Sequence, residues 1–329
     1  MHKPVLGSMV LVVLLVGSGL LSGDASAAER ARPIRVGALT ESWGPTPAIV
    51  GLREGLLALG YREPEQFVLG VRFTQGDLDA LPAAALALVQ YGVDLIFVEG
   101  DTATKAVQIA TTRIPIVFVG VGDPLRQGVI ESFDRPGGNI TGVTHLSLDL
   151  GPKRLAVFRE LIPGLRRVLF PYDPNDAAGM AEARVYREAA HRLGIVLVEQ
   201  AVQTQAEVQT TVTQVRKGEM DGILVPSSVS LNIPGFIVET AGQQGIPTMC
   251  AIPFWVERGV ALASYGQDLY ASGRQAARLV DKILKGANPA EIPVEASSSL
   301  EFVINLKVAK ALGLTIAPEV LYRADRIIR

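Results

Sequence analysis

The chain carries one series of structural signals twice. Leu59-Gly60 and Leu193-Gly194 each end a helical stretch on a glycine, the residue that stops helices in the left-handed conformation. Asp94 opens the apolar run DLIFV and Asp221 opens DGILV, and Ile114-Pro115 and Ile246-Pro247 each lead into a further apolar run. The three marks recur in the same order roughly 130 residues apart, which is the signature of an internal repeat. Each mark alone is ordinary. Together they predict two similar α/β halves in tandem, with a cleft between them; the alternative is chance similarity inside one large α/β domain.

Short, uninterrupted apolar runs fall at residues 34–39, 94–98 and 116–120, and an alternating run at 67–74. Helical patterns at 48–59, 78–91 and 102–111 lie between and after them. In the second half, strands are expected at 168–172, 196–202, 222–225 and 248–250, with helices at 177–193, 206–217 and 233–244. Continuous Val/Ile/Phe runs suit parallel strands covered on both faces, and strict β-α alternation means doubly wound sheets. A strand at 261–264, a long helix at 268–284, a strand at 301–304 and a helix at 307–312 lie outside the repeat. Irregular junctions at 135–139, 265–266 and 287–293 allow the chain to cross between halves three times. This predicts interleaved lobes, 33–143 with 266–296 and 144–265 with 297–329, around a ligand cleft.

A length of 329 residues favours two domains. A formal net charge of −2, with no Lys/Arg block, excludes a nucleic-acid binder, which needs a basic surface. Residues 1–27 read differently. His2 and Lys3 precede an apolar stretch from Val5 to Leu21, and Ala25-Ser26-Ala27 offers a small-residue cleavage site, so this segment is expected to be a secretory signal peptide. Asp24 stands where a lipidated cysteine would be needed, so no lipid anchor is expected. Cys250, the one cysteine, cannot form an internal disulfide and reads as a buried structural thiol.

In open parallel sheets ligands bind beyond the carboxyl ends of strands. That selects the loops at 40–46, 100–104 and 121–125, and at 173–177, 226–230 and 251–257. Thr102, Ser227 and Ser228 stand near helix starts, where hydroxyls and free N–H groups hold a carboxylate or simply cap the helix. Asp101, Asp123 and Asp268 could pair with an ammonium, and Asp123 before Pro124 also suits a plain turn. Trp43, Phe254 and Trp255 could stack on an apolar ligand body or pack in a core. Ser42, Gly122 and Asn175 complete the candidate set. No phosphate-binding Gly-rich loop, dinucleotide fingerprint or nucleophile elbow is present. His145 lies near the expected hinge with no second metal-ligating side chain close in sequence, and His191 sits mid-helix. No catalytic residue, metal or cofactor is expected.

Several segments carry a family resemblance. They are Leu52–Leu56 with Leu59-Gly60-Tyr61, IPIVFVGVGDP at 114–124, RPGGNITGVT at 135–144, Lys153-Arg154-Leu155, Ala263–Gly266, VDKILKGANPAEIPVE at 280–295 and INLKVAKALGLTI at 304–316. In this order they resemble the ABC-transporter substrate-binding proteins of the tryptophan or aromatic-amino-acid-binding type. The resemblance implies the type I periplasmic-binding-protein fold: two lobes, a three-crossover hinge that closes on a small ligand, and docking on a membrane permease. It implies an exported, periplasmic, monomeric and non-catalytic receptor for an amino acid or related amide. Rival readings are a sensing partner of a membrane signalling protein, with the same fold, and an exported α/β enzyme using loop carboxylates. The chain departs from the family pattern at Asp101-Thr102-Ala103-Thr104-Lys105, at Tyr172-Asp173-Pro174-Asn175 and at Trp43, all in the expected cleft.

Overall fold

The computed structural model describes residues 32–145, 147–216, 218–227 and 235–329. The expected signal peptide at 1–27, Ser228, the last residue of the helix expected over 206–217 and the beginning of that expected over 233–244 lie outside them.

The first sheet contains β1 (Ile34–Thr40), β2 (Phe67–Phe73), β3 (Leu95–Glu99), β4 (Ile116–Val121) and β5 (Ile140–Thr144), joined late in the chain by β11 (Glu295–Ala296). Its order is β11-β5-β4-β3-β1-β2, and every pairing is parallel. The second sheet contains β6 (Arg167–Tyr172), β7 (Val196–Ala201), β8 (Gly222–Leu224), β9 (Thr248–Cys250) and β10 (Ala263–Gln267), extended by β12 (Leu300–Asn305) and β13 (Arg326–Ile328). Its order is β13-β12-β10-β9-β8-β6-β7, with β10 and β12 antiparallel. Helices α1 (Pro47–Ala58), α2 (Leu81–Tyr91), α3 (Asp101–Ala110) and α9 (Leu269–Leu284) go with the first sheet. Helices α4 (Ser147–Leu161), α5 (Ala177–Leu193), α6 (Gln205–Gln214), α7 (Phe236–Gln243), α8 (Phe254–Glu257), α10 (Leu306–Ala311) and α11 (Pro318–Tyr322) go with the second.

The apolar runs are uninterrupted because each strand feeds two cores. Leu95 and Phe97 pack with Val36, Leu52 and Val280 on one face of the first sheet. Ile96 and Val98 pack with Leu88, Val107 and Phe118 on the other. In the second sheet Leu224 and Met249 face one core, and Ile223 and Cys250 the opposite one.

The repeated marks do the same physical work in each half. Gly60 and Gly194 have φ of 94° and 64°, a region that costs other residues strain. The Asp94 N–H donates to the Arg35 carbonyl while its carboxylate accepts the Arg35 N–H, both at 2.8 Å. The Asp221 N–H donates to the Arg167 carbonyl at 2.8 Å, and its carboxylate accepts the N–H groups of Arg166 and Arg167. The Pro115 and Pro247 carbonyls accept from Ile96 and Ile223 at 2.8 and 2.9 Å. Asp325, ahead of β13, clamps Phe302 in the same two-bond manner, a third instance outside the repeat.

Between β5 and α4 the sequence signal fails. The junction expected at 135–139 is followed directly by β5, a strand that the sequence reading did not expect, and Gly151-Pro152 hides a 15-residue helix. The loop expected at 251–257 contains the short helix α8.

The chain passes between the sheets after Thr144, at Asp268 and at 297–299. These crossings are bonded to one another. The Ser297 N–H donates to the Thr144 carbonyl at 2.7 Å, the Asp268 N–H to the Ser299 carbonyl at 3.1 Å, and the Ser272 and Ser297 hydroxyls lie 3.0 Å apart. The return of α9 to the first sheet depends on close contact with α1. A Cβ on Gly51 would sit 2.1 Å from the Tyr270 carbonyl oxygen, and one on Gly273 2.0 Å from that of Ala48.

Backbone atoms cannot yield as side-chain ends do. Gly51→Ala and Gly273→Ala are each expected to destabilise the protein by about 1–3 kcal/mol or more, the range for overpacking. Gly70→Ala, where nothing lies within 4 Å of the new methyl, is the near-neutral control. Urea unfolding of the three variants checks this.

Candidate functional site

Both sheets reverse their winding between the first and third strands of the half, at β1/β3 and β6/β8. Helices leave in opposite directions there, and a crevice opens beyond the strand ends. At β1/β3 the crevice gathers carboxylates. Glu41, 8% exposed, accepts the Ala103 N–H and the Thr102 hydroxyl, so it caps α3 from outside the helix. Glu99 ends β3 and accepts the hydroxyl of Thr46, whose oxygen in turn accepts the Ile49 N–H to cap α1. Gly100 turns the chain with φ of 97°. Asp101 follows, its Oδ1 accepting the Gly122 N–H at 3.1 Å and its carboxylate bonded to the Gln127 side chain.

Burial dominates the electrostatics. Desolvation and then the charge of Asp101 push Glu41 up to about 7, and desolvation pushes Glu99 up to about 7. Asp101 is also raised by burial, although Lys105 one turn along α3 opposes the shift. Asp176, at the start of α5 in the second half, raises Asp101 further.

The expected residues separate into groups. Ser42, Trp43, Asp101, Thr102 and Gly122 lie at the strand ends of the first sheet, with Trp43 38% exposed and the Ser42 hydroxyl donating to the Gly44 carbonyl. Asp123 closes its own turn on Arg126 through the N–H at 3.0 Å and Nε at 3.1 Å, so the plain-turn reading describes it. Asn175 is exposed in the loop before α5, where Asp173 accepts its N–H. Asp268 caps α9 and lines a hollow of about 280 Å³ shared with Pro47 and Tyr270 on one side and Pro253, Glu301 and Arg326 on the other.

At three of the expected positions the side chain has an internal role. Trp255 is a core residue: its ring packs over Gly235 in the cluster of Ile237, Val256 and Val303. Phe254 stands edge-on to it, with the Arg258 guanidinium 4.7 Å from its ring centre. Thr102 and Ser227, read as holding a ligand carboxylate or capping a helix, meet the protein's own carboxylates. Glu41 holds the first. Glu182 holds the second, accepting the Ser227 N–H at 3.0 Å and hydroxyl at 2.7 Å.

Sequence reading missed Glu41, Glu99, Glu182 and Arg154 as site-forming residues. Glu99 had a visible signal, a carboxylate ending a buried strand. Glu182 had none, since its helix is otherwise rich in exposed charge. Cys250 is free and buried, its thiol pushed up to about 12 by desolvation. Among the described residues no group of three or more His, Cys, Asp and Glu side chains is placed to hold a metal ion.

Glu41 and Glu99 keep their protons in the folded state to a higher pH than their ordinary value of 4.5. The folded state then binds more protons than the unfolded chain, so this contribution is complete below about 4.5 and is lost as pH rises through about 7. Glu99→Gln, which still accepts from Thr46, is expected to flatten the fall in melting temperature between pH 5 and 8 and to melt above the wild type at pH 8. Calorimetry across that range checks it; superimposable profiles would refute the assignment.

The chain matches the family described as ABC transporter substrate binding protein over residues 34–328. It is 25% identical over 288 residues to a tyrosine-binding protein of Clostridioides difficile (strain R20291), covering 87% of this chain and 82% of that one. Among solved structures it resembles a conserved domain protein from Vibrio cholerae O1 biovar El Tor strain N16961, with a TM-score of 0.78 and 30% identity, covering 89% of this chain and 99% of the other. It also resembles an ABC domain from Streptococcus pneumoniae crystallised in complex with L-Trp, with a TM-score of 0.78 and 26% identity, covering 90% and 100%. The fold is therefore the type I periplasmic-binding-protein architecture, two doubly wound halves joined by three crossings. The chain belongs to the ABC transporter substrate-binding protein family.

Proposed function

We propose that this protein is an exported receptor that binds a small amino acid with an aromatic side chain in the crevice between its two halves, closes on it by hinge motion and delivers it to a membrane permease. The lobes follow the two sheets and turn about the three bonded crossings after Thr144, at Asp268 and at 297–299. Residues 1–27 direct export and are removed, leaving a monomeric, non-catalytic protein in the periplasm.

The observation that carries this reading is the gathering of Glu41, Glu99 and Asp101 at the β1/β3 switch point beside the half-exposed ring of Trp43. Buried carboxylates raised towards neutrality are matched by a ligand ammonium, which restores their charged form. Trp43 supplies a face for an aromatic side chain. Relatives that bind tyrosine and L-Trp support the same class. Because Thr102 and Ser227 are engaged by glutamates, the ligand carboxylate is assigned to other groups of the crevice, with Asn175 a candidate on the second half.

L-Tryptophan or L-tyrosine is expected to bind at micromolar concentration or below and to raise the melting temperature, with about 2.7 kcal/mol of added stability at a hundredfold excess over Kd. A screen of amino acids and small carboxylates with no shift would overturn the reading. Trp43→Ala is expected to weaken binding by roughly 3- to 10-fold, the range of one lost ring contact. Affinity should rise with pH through about 7 as Glu41 loses its proton, since the ammonium pairs with the carboxylate form. Titration calorimetry at pH 6 and 8 reads this directly.

A further inference from the structure

Arg154 is among the least exposed side chains of the second half, at 1%. It lies in α4, which begins just after the first crossing. Its Nε donates to the Tyr265 carbonyl of β10 at 2.9 Å, and its Nη1 donates to the Tyr186 hydroxyl of α5 at 2.6 Å. The Glu182 carboxylate stands 3.6 Å from Nη1 and also accepts from Tyr186. That carboxylate holds both the N–H and the hydroxyl of Ser227, which follows β8 at the switch point of the second sheet. Tyr186 is wholly buried, its ring edge-on to Phe170 at 4.9 Å, and Glu182 is 5% exposed.

A buried ion pair is a poor source of stability. Its desolvation costs about as much as the attraction returns, and apolar side chains of equal volume do as well. What such a network does supply is a single geometry, because every donor must meet its acceptor. Here one end is a crevice loop and the other is the strand that leads to the second crossing at Asp268. The crevice and hinge are joined through side chains that do not themselves line the crevice.

We propose that Arg154, Tyr186 and Glu182 form a positioning device that locks the crevice loop at Ser227 to the hinge strand β10, so that loop and hinge move as one body. None of the three is assigned contact with the ligand. The device extends the proposed function: its effect on affinity rests on that reading, whereas its mechanical linkage does not.

Tyr186→Phe removes the hydroxyl that joins Arg154 to Glu182 and keeps the ring. Glu182→Gln keeps an acceptor for Ser227 but removes the charge facing Arg154. Hydrogen exchange of the ligand-free protein is followed by mass spectrometry for peptides over 222–227, 263–267 and, as reference, 196–201. The expected result, in at least one of the two variants, is exchange faster by several-fold over both 222–227 and 263–267, with 196–201 unchanged. Faster exchange spread evenly over all three peptides would reduce the network to general stability and overturn the proposal. So would a change confined to 222–227, or no change in either variant. Affinity for L-tryptophan and L-tyrosine is expected to fall by about 5-fold or more in the variant that shows the linked change; wild-type affinity in that variant would overturn the link to binding. A wild type that binds neither amino acid would overturn the assigned ligand class alone, and the exchange pattern would still decide the linkage.

Discussion

The interleaving of this fold rests on a contact between two helix backbones. The chain leaves the first sheet after Thr144 and builds almost all of the second before α9 returns. Nothing in sequence proximity brings α9 home, so the tertiary contact must do it. Gly51 and Gly273 let α1 and α9 approach until the carbonyls of Tyr270 and Ala48 occupy the space of the missing methyl groups. A Cβ on Gly55 would likewise lie 2.6 Å from the Ala277 methyl. Close backbone approach buries the small residues of α9 against α1, and Leu279 and Val280 complete the core with Leu52 and Leu56. With α9 held there, β11 can join β5, and the 297–299 segment is forced back across to β12. Two of the three crossings follow from that one contact.

The duplication reaches further than the elements themselves. In each half a glutamate braces the switch point. Glu41, after β1, reaches across to the start of α3, and Glu182, in the helix after β6, reaches across to the end of β8. The two come from different places on the chain and meet different environments. Glu182 has Arg154 beside it. Glu41 has Asp101 and Glu99 instead, which add to its burial cost, whereas Arg154 opposes the burial cost that also raises Glu182. The halves are thus alike in scaffold and differ in the charge that faces the bracing glutamate, and under the proposed function the half with clustered carboxylates receives the ligand's cationic group.

Much of the scaffold was legible because its signals are local. A glycine in left-handed conformation, an aspartate clamping the neighbouring strand and a proline carbonyl at a strand start each need only a few residues of context. The aspartate clamp recurs at Asp325 for the same reason. Helix α4 was not legible, because Gly151-Pro152 interrupts its pattern and only packing through Leu155, Phe158 and Leu161 sustains it. The site was legible in outline, since parallel sheets dictate which loops matter. Its detail was not. Trp43 and Trp255 both fall in such loops, and only the meeting with Gly235 makes one a core residue. The partners of Thr102 and Ser227 lie 61 and 45 positions away in sequence, and no local rule ties a hydroxyl to a particular distant glutamate.

The charge arrangement also bears on when the crevice can close. Asp101 and Asp176 belong to opposite halves, and the charge of Asp176 adds to the cost of ionising Asp101. Closure would shorten that separation and expel the water that screens it, and two like charges at 4 Å repel by about 1 kcal/mol in bulk water but about 4 kcal/mol at the dielectric typical near a protein surface. Lys105 offsets part of this, though it flanks Asp101 from its own helix and does not bridge the halves. A ligand ammonium between the carboxylates would turn the repulsion into attraction, so the same groups that disfavour empty closure favour loaded closure. Under the proposed function, selectivity for a cationic amine and coupling of binding to closure then share one cause. The crossings, held by hydrogen bonds through Ser297, Ser299 and Thr144, can remain a passive pivot.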